Sequence, residues 1–327
     1  MELWDKYNLI LRKIFTEERS TLMPCRNPGC NYIIWGYSNT KSVQCICKQT
    51  GCFQCKNTEA HDPLDCTMYH RWQEQCRKDL QSVEWMFANT KKCPKCFVRI
   101  EKNSGCNHMT CIHCNYQFCW VCNGSWKQHE EDAKGSLNPF HCNWYTVRRD
   151  SGDSNPSTVT TDTGAKVVDT TASLQTQKYL FYFTRYYNQE MNKNFLINKR
   201  HYIHTVTQKI IHAQRYTVPP YLETVLVLAN EELIIARRIL QYSYAYGFFL
   251  TDQQQRTLLE YQQGRLESLT DSLVTSIYRI DVQTVQLTTI HSQFQLLHTT
   301  IVHFLDTLSD RSYQLSPPST AVVHSHR

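Results

Sequence analysis

No cysteine follows Cys142 in this chain of 327 residues, and all 16 cysteines lie between Cys25 and Cys142. The N-terminus lacks the basic and then apolar pattern of a secretion signal. No window is apolar and uncharged over the length that a membrane span needs, and the closest, residues 233–250, contains Arg237 and Arg238. We therefore expect a cytoplasmic or nuclear protein, or one found in both places, whose cysteines bind metal rather than form disulfides.

Eight candidate metal ligands lie between residues 25 and 66. Short cysteine pairs bring two thiolates to one ion, and a structural zinc takes four tetrahedral ligands. In chain order the candidates divide into two sets of four. The first set is Cys25, Cys30, Cys45 and Cys47, and the second is Cys52, Cys55, His61 and Cys66. His61 lies between a cysteine pair and a lone cysteine, which favours ligation over an ordinary surface position.

Three Cys-x-x-Cys pairs occur within residues 93–122, which is a strong signal for zinc. Two more closed sites use eight ligands. These are Cys93, Cys96, Cys111 and Cys114, and then Cys119, Cys122, His129 and Cys142. His141 is adjacent to Cys142 and is the alternative last ligand, with Cys142 preferred. The sequence thus predicts four structural Zn²⁺ ions, which supply folding free energy to segments too short to build a sufficient core.

This division of ligands leaves Cys106 unused. It follows Gly105 in a polar turn, where a side chain can be exposed, and His108 lies two residues further on. An imidazole near a thiol can act as a base or stabilise a thiolate, so Cys106 is a candidate nucleophile. The alternatives are a ninth structural cysteine or a replacement for one of the assigned ligands. Cys76 has no partner nearby and is interpreted as a small buried hydrophobic residue.

The formal net charge of +6 suggests nucleic acid at first sight. Zinc ligation changes the count, because an ion held by four thiolates carries −2 and one held by three thiolates and a neutral imidazole carries −1. Two sites of each kind add about −6 and bring the chain close to neutral. The chain also lacks a basic helix beside a Cys-Cys-His-His site. We therefore do not expect a nucleic-acid partner.

Apolar residues at helical spacing predict helices outside the two cysteine clusters. A core-packing helix is expected over residues 1–22 and a connecting helix over 71–91. Residues 147–176 are rich in Ser, Thr, Asp and Gly and predict a flexible linker. Helices are then expected at about 177–214, 221–249 and 252–280, followed by one from 287 whose heptad seam suits an antiparallel bundle. The tail at 313–327 is expected to be disordered.

The chain resembles the Ariadne subfamily of RING-between-RING ubiquitin ligases over about residues 5–310. The resemblance rests on the runs NTKKCPKC, IEKNSGCNHM and FCWVC in the second cluster, and on YLFYF and LEYQQ in the back half. The Cys111-x2-Cys114 spacing and Tyr261-Gln262-Gln263 place it nearer the Triad (Ariadne-2-like) branch.

The resemblance implies a multidomain fold. After an N-terminal helix at 1–23, two small zinc-stapled domains, β-rich or irregular, would follow. These are an in-between-RING domain at 24–70 and, beyond the connecting helix, a catalytic second RING at 92–146. An all-α, antiparallel Ariadne helical domain would occupy residues 177–312.

By the same resemblance, Cys106 accepts ubiquitin as a thioester from a conjugating enzyme (E2) and passes it to a lysine, while His108 assists the attack of the amine. The helical domain hides Cys106 until a neddylated cullin–RING complex binds. Phe195 matches a family residue at that closing contact, and Asp271 is a candidate for another. Leu196 stands where the family usually has an acidic residue. The implied partners are ubiquitin, an E2 and the cullin complex, with no membrane.

The family also has a first RING, which docks the E2, ahead of the in-between-RING domain. Only 24 residues precede Cys25, and none of them is Cys or His. We therefore expect this sequence to lack that domain, as a fragment or a divergent protein would. The alternative to a ligase is a non-catalytic zinc scaffold or decoy regulator that binds ubiquitin or a cullin complex.

Overall fold

The computed structural model describes residues 3–37, 40–86, 90–101, 107–135, 142, 170–213, 221–278 and 287–312. We name the cysteine-rich residues 22–66 the first unit, the cysteine-rich residues 90–142 the second unit, and residues 170–312 the helical domain. None of the helices in these ranges is both long and apolar enough to cross a membrane.

Eight helices occur in the described ranges. They are α1 Leu3–Glu17, α2 Cys66–Met86, α3 Trp126–Gly135, α4 Thr170–Asn198, α5 Arg200–Ala213, α6 Leu222–Phe249, α7 Gln253–Tyr278 and α8 Leu287–Ser312.

Each unit contains two antiparallel hairpins of three-residue strands. In the first unit β1 Leu22–Pro24 pairs with β2 Ile33–Trp35, and β3 Ser42–Gln44 pairs with β4 Thr50–Cys52. In the second unit β5 Thr90–Lys92 pairs with β6 Arg99–Glu101, and β7 His108–Thr110 pairs with β8 Gln117–Cys119. An isolated two-stranded hairpin is at best marginally stable in water, so the units depend on other sources of stability.

Helix α1 differs from its prediction. It ends at Glu17 and the chain enters strand β1 at Leu22, although a helix was expected up to residue 22. Its apolar residues are exposed, with Leu3 at 88% and Ile10 at 56%, so the expectation that this helix packs into a core is wrong. Periodic apolar residues predict which face could be buried, but they do not predict whether a partner element covers that face.

The connecting helix α2 also lies earlier in the chain than predicted. It begins at Cys66, because the Asp65 carboxylate caps it by accepting a hydrogen bond from the backbone N–H of Met68 at 2.7 Å. Thr90, expected to be helical, instead begins strand β5.

Helix α6 lies at the centre of the helical domain and contacts α4, α5, α7 and α8. The predicted heptad seam on α8 is confirmed as a buried stripe. Its fully covered members are Ile290, Leu297, Ile301, Phe304 and Leu308.

Two boundaries of the helical domain differ from prediction. Helix α4 begins at Thr170, inside the segment 147–176 whose polar composition predicted a linker. The single helix expected over 177–214 is broken at Lys199, whose backbone N–H donates to the carbonyls of Phe195 and Leu196 before α5 begins. Residues 143–169 and the tail at 313–327 lie outside the described residues.

Helix α2 joins the core of the helical domain. The side chain of Trp72 has no exposed surface. Its ring centroid lies 5.3 Å from that of Tyr186, 5.5 Å from that of Phe248 and 5.8 Å from that of Tyr179. Sequence periodicity marked Trp72 as apolar, but it could not show that its partners lie more than a hundred residues away.

Candidate active site and zinc centres

The structure brings sixteen Cys and His residues into four groups of four. Within each group the ligand atoms all lie within 4.8 Å of one another. The groups are Cys25, Cys30, Cys45, Cys47; Cys52, Cys55, His61, Cys66; Cys93, Cys96, Cys111, Cys114; and Cys119, Cys122, His129, Cys142. These are the four sets predicted from spacing. Cys142 belongs to the fourth group, and His141 lies outside the described residues.

A common turn shapes the cysteine pairs. The residue after the second cysteine has a positive φ in each pair of the second unit, at Phe97, Asn115 and Asn123. This left-handed residue turns the chain back, so that its N–H donates to the carbonyl of the first cysteine, as at Asn115 and Cys111 with 2.8 Å. The turn places both thiols on one side, which is what a shared ion requires. The non-glycine residues with positive φ in the described ranges all follow a cysteine, and the others are Lys48 and Lys56.

The spacing of the sulfur atoms fits zinc. Two thiolates that lie 2.3 Å from a tetrahedral ion are about 3.8 Å apart. The Sγ atoms of Cys30 and Cys45 are 3.7 Å apart, and those of Cys93 and Cys114 are 3.6 Å apart. In the second group the His61 imidazole turns Nε2 towards Cys55 Sγ at 3.4 Å, while its Nδ1 lies 3.0 Å from the Leu64 carbonyl oxygen. That carbonyl orients the ring as the outer partner of a ligating histidine usually does.

Thiols packed this closely do not ionise together. Burial raises the pKa of Cys25 to about 12, whereas the backbone N–H of Gln49 lowers the pKa of Cys47 to about 6. A cation among the four sulfur atoms offsets the repulsion between neighbouring thiolates, because it stabilises every thiolate at once. The donor sets of two Cys₄ and two Cys₃His sites are those of structural zinc, so four clusters that could hold zinc are present.

One of the two candidate catalytic residues, His108, lies at the start of strand β7. Cys106 lies outside the described residues, and His108 is the first residue of β7. The imidazole of His108 stacks on the Trp126 indole, with centroids 4.2 Å apart and planes 9° apart. Its Nε2 lies 2.9 Å from Gln117 Oε1. Since a carbonyl oxygen only accepts hydrogen bonds, Nε2 of the neutral ring carries the proton and the lone pair is on Nδ1.

Gln117 and Trp126 were not predicted as site residues. In the β7–β8 register His108 is opposite Cys119, so Gln117 is its diagonal neighbour on the same face. Trp126 begins α3 and also stacks on the ligand His129, with ring centroids 5.5 Å apart. The fourth cluster therefore positions the surface on which His108 rests. A strand register could have suggested Gln117, whereas nothing in the sequence pointed to Trp126.

A buried polar network joins the second unit to the helical domain next to Cys106. The side chain of Asn107 is almost fully buried. Its Nδ2 donates to Glu267 Oε1 at 2.7 Å, and its Oδ1 accepts from Asn188 Nδ2 at 2.6 Å. Glu267 also accepts from Gln189 Nε2 at 2.9 Å and from the Tyr244 hydroxyl at 3.0 Å. Such a network stabilises one arrangement of the two parts, because each partner that is lost leaves a buried polar group unsatisfied.

The fourth cluster also contacts the helical domain. Arg185 donates from its guanidinium to the backbone carbonyl of Cys142 and to that of Phe181, the latter at 2.9 Å. Burial lowers the pKa of Arg185, and the cysteine thiolates oppose that effect. The interface with the second unit thus includes a cation close to a zinc cluster.

The described contacts of the residues that the resemblance placed at the closing contact lie within the helical domain. Leu196 is fully buried in the helical core, and Asp271 forms an ion pair with Arg237 inside the helical domain. The Phe195 ring packs on Tyr278 of α7, with centroids 5.7 Å apart. Among the described residues, Asn188, Glu267 and Arg185 form polar contacts with the second unit.

The first unit is bound to the helical domain through its second cluster. Lys193 forms an ion pair with Glu59, and Arg238 donates to Asp62 at 3.1 Å. The Tyr242 hydroxyl donates to Glu59 at 3.0 Å, and the Tyr242 ring lies edge-on to the His61 imidazole at 6.4 Å. A zinc ligand is therefore flanked by two interdomain ion pairs.

Comparison with known proteins places these observations in a family. Residues 5–66 match a model described as "IBR domain, a half RING-finger domain", and residues 88–143 match one described as "IBR domain". The chain is 33% identical over 283 residues to "Probable E3 ubiquitin-protein ligase rbrA" of Dictyostelium discoideum, covering 84% of this chain and 51% of that protein. It is 32% identical to "E3 ubiquitin-protein ligase ARIH2" of Mus musculus, covering 86% and 53%.

A third relative is "E3 ubiquitin-protein ligase ARIH1" of Homo sapiens, which is 32% identical, with 82% of this chain and 45% of that protein covered. A solved structure titled "Structure of Pediculus humanus Parkin bound to phospho-ubiquitin" shares 30% identity over 38% of this chain and 39% of that chain. Its TM-score of 0.16 is too low to support a comparison of folds.

Zinc clusters, small hairpins and a C-terminal helical domain define a RING-between-RING architecture. The chain is a homologue of the Ariadne-type RING-between-RING ubiquitin ligases, and it spans about half the length of the curated relatives it matches. The near-equal identities to ARIH1 and ARIH2 do not resolve which branch it is nearer.

Proposed function

We propose that this chain carries the catalytic half of a RING-between-RING ubiquitin ligase, with Cys106 as the acceptor of ubiquitin. The observation that supports it is the position of His108, which lies two residues from Cys106 and is held by Gln117 and Trp126. Each of the four zinc clusters has four ligands among the described residues, and His108 is not one of them.

The proposed ubiquitin transfer takes place in two steps. The Cys106 thiolate attacks the thioester carbonyl of a charged E2, a new carbon–sulfur bond forms, and the E2 cysteine leaves as a thiolate. A neutral lysine amine then attacks the ubiquitin–Cys106 thioester, and the Cys106 thiolate leaves. The proton of the amine goes to an imidazole nitrogen, for which Nδ1 of His108 is the candidate. Zinc in a closed site has no open position and would only stabilise the fold.

We further propose that the helical domain keeps this site closed. The contacts of Asn107 with Asn188 and Glu267 support the proposal, because they bury the residue that directly follows Cys106. A neddylated cullin–RING complex is the proposed opener, and ubiquitin and a charged E2 are the other proposed partners. The proposed location is the cytoplasm, the nucleus or both.

The test uses the zinc-loaded chain and an E2 charged with lysine-free ubiquitin. The opened variant Asn188→Ala should form a ubiquitin adduct that thiol cleaves, and wild type should form the same adduct more slowly. Cys106→Ser should form an adduct that resists thiol and is cleaved by hydroxide. Cys76→Ser is the matched control and should behave as wild type, since Cys76 is in none of the four clusters.

His108→Ala should still accept ubiquitin but pass it to free lysine about a hundredfold more slowly, which is the lower end of the usual contribution of a general base. If neither wild type nor Asn188→Ala forms any adduct on Cys106, the chain is not a transferase. It would then be the non-catalytic scaffold.

A further inference from the structure

A cleft of about 520 Å³ lies between the C-terminal half of α1 and the first zinc cluster. Its charged lining residues are mostly basic. They are Arg12, Lys13, Arg19, Arg26 and Lys56, with Glu17 as the acidic member. The ubiquitin-transfer chemistry proposed for Cys106 uses none of them, and this cleft is a separate feature of the molecule.

Three of the five cations have a partner within the protein, and one of these is Arg19, whose guanidinium lies 4.2 Å from the centroid of the Phe15 ring. Lys13 lies 3.9 Å from Glu17, and Lys56 donates to the Leu22 carbonyl at 3.2 Å while lying over the Phe53 ring. None of the three arginines, Arg12, Arg19 and Arg26, forms an ion pair with a carboxylate of the described residues. Arg12, Arg19 and Arg26 are also exposed.

The zinc cluster does not neutralise these charges. Cys25 and Cys30 form part of the wall, and a four-thiolate zinc centre carries −2. Five cations against that centre and one carboxylate leave a surplus of two positive charges. The cleft therefore favours an anionic ligand.

The shape indicates an extended ligand rather than a single ion. A second cavity of about 530 Å³ adjoins the cleft and shares Cys30, Asn31 and Tyr32 with it, so the two form one groove across the first cluster. Leu22, Pro24, Tyr32 and Ile33 supply apolar surface between the cations. A phosphate site would instead gather its cations and backbone N–H groups around one point.

We propose that this groove binds an acidic peptide segment of a partner protein. Its carboxylates pair with Arg12, Arg19 and Arg26, and its apolar side chains rest on Tyr32 and Ile33. The proposal is independent of the catalytic one, since binding is measured without an E2.

The probe is a fluorescein-labelled octapeptide of alternating Glu and Leu, added to the zinc-loaded full chain and followed by fluorescence anisotropy at low and moderate salt. The same peptide with Gln for Glu tests the role of charge. The variant Arg12→Glu/Arg26→Glu tests the groove. Lys209→Glu is the matched control, because Lys209 is exposed on α5, and both variants are checked for four bound zinc ions.

Binding of the Glu peptide should weaken by at least tenfold in the double variant and stay within twofold of wild type in Lys209→Glu. Higher salt should weaken it as well, since exposed charge pairs are screened. Three results would each overturn the proposal. They are equal affinity for the Gln and Glu peptides, an equal loss of affinity for the Glu peptide in Lys209→Glu and in the double variant, and no binding of the Glu peptide at low salt.

Discussion

Replacing Asn188 with alanine should open the contact beside Cys106. Asn188 Nδ2 donates to Asn107 Oδ1 at 2.6 Å, and Asn107 has 1% of its surface exposed. Without this donor a buried carbonyl loses a hydrogen bond that water cannot replace while the interface stays closed. Removing one partner of a buried hydrogen bond costs about 1–3 kcal/mol. The closed state should lose that amount relative to the open one, so the open population should rise roughly 5- to 150-fold.

The assay is the rate at which Cys106 is alkylated, resolved from the other cysteines by peptide mass spectrometry of the zinc-loaded protein. When opening and reclosing are fast compared with alkylation, the rate follows the open population. Asn188→Ala should therefore react at least fivefold faster than wild type. Hydrogen exchange at residues 107–110 should accelerate in parallel, because strand β7 begins at this contact.

The matched control is Asn230→Ala. Asn230 is also a buried asparagine, but its Oδ1 accepts from the Tyr278 hydroxyl at 2.8 Å within the helical domain. The Asn230→Ala substitution should lower the free energy of unfolding without changing the rate at which Cys106 is alkylated. Equal rates in wild type and Asn188→Ala would refute the closing role of Asn107. An equal acceleration in Asn230→Ala would show that any loosening of the helical domain has the same effect.

Three further predictions follow from the described contacts. Trp72→Ala should cost about 3–5 kcal/mol of unfolding free energy because it empties an aromatic core, whereas Trp35→Ala, at a 59% exposed position, should change the melting temperature little. Glu190→Gln should raise the melting temperature above pH 7. Burial raises the pKa of Glu190, Lys193 lowers it and Glu59 raises it, so the folded state favours the protonated acid. The charged carboxylate lowers the free energy of unfolding by an amount that grows as pH rises above the pKa of Glu190 in the unfolded chain, and this destabilisation vanishes in acid. A lower melting temperature in the variant at pH 8 contradicts this reasoning. Metal analysis should find four zinc ions per chain that are released as pH falls, because the thiolates must take up protons; two ions or fewer at pH 7.5 would contradict the ligand sets.

The ligand sets could be predicted from sequence because they depend on local geometry. A Cys-x-x-Cys pair needs one turn with a left-handed residue, and that turn occupies five or six residues wherever it lies. The contact that buries Asn107 could not be predicted in the same way. Asn107 and Glu267 are 160 positions apart, and both are ordinary polar residues whose pairing no local pattern indicates. Periodicity gave the helices of the helical domain, but it did not reveal that α2 belongs to the same core.

The two zinc-binding units are attached to the helical domain by different kinds of contact, and this difference predicts which unit detaches more easily. The first unit is attached through α2, whose Trp72 is surrounded by aromatic rings, and through the Asp62–Arg238 ion pair. Burying a large aromatic side chain stabilises the folded state by several kcal/mol. This contribution is kept when the packed elements shift slightly. The described contact of Asn107 is polar, and each of its hydrogen bonds adds only about 1 kcal/mol net. Hydrogen bonds are directional, so a small shift that leaves the aromatic core intact breaks them. The second unit should therefore detach first, while the first unit and the helical domain stay together as one body. If the helical domain closes the site as proposed, an activating partner would compete for this polar contact while the aromatic core around Trp72 stays intact.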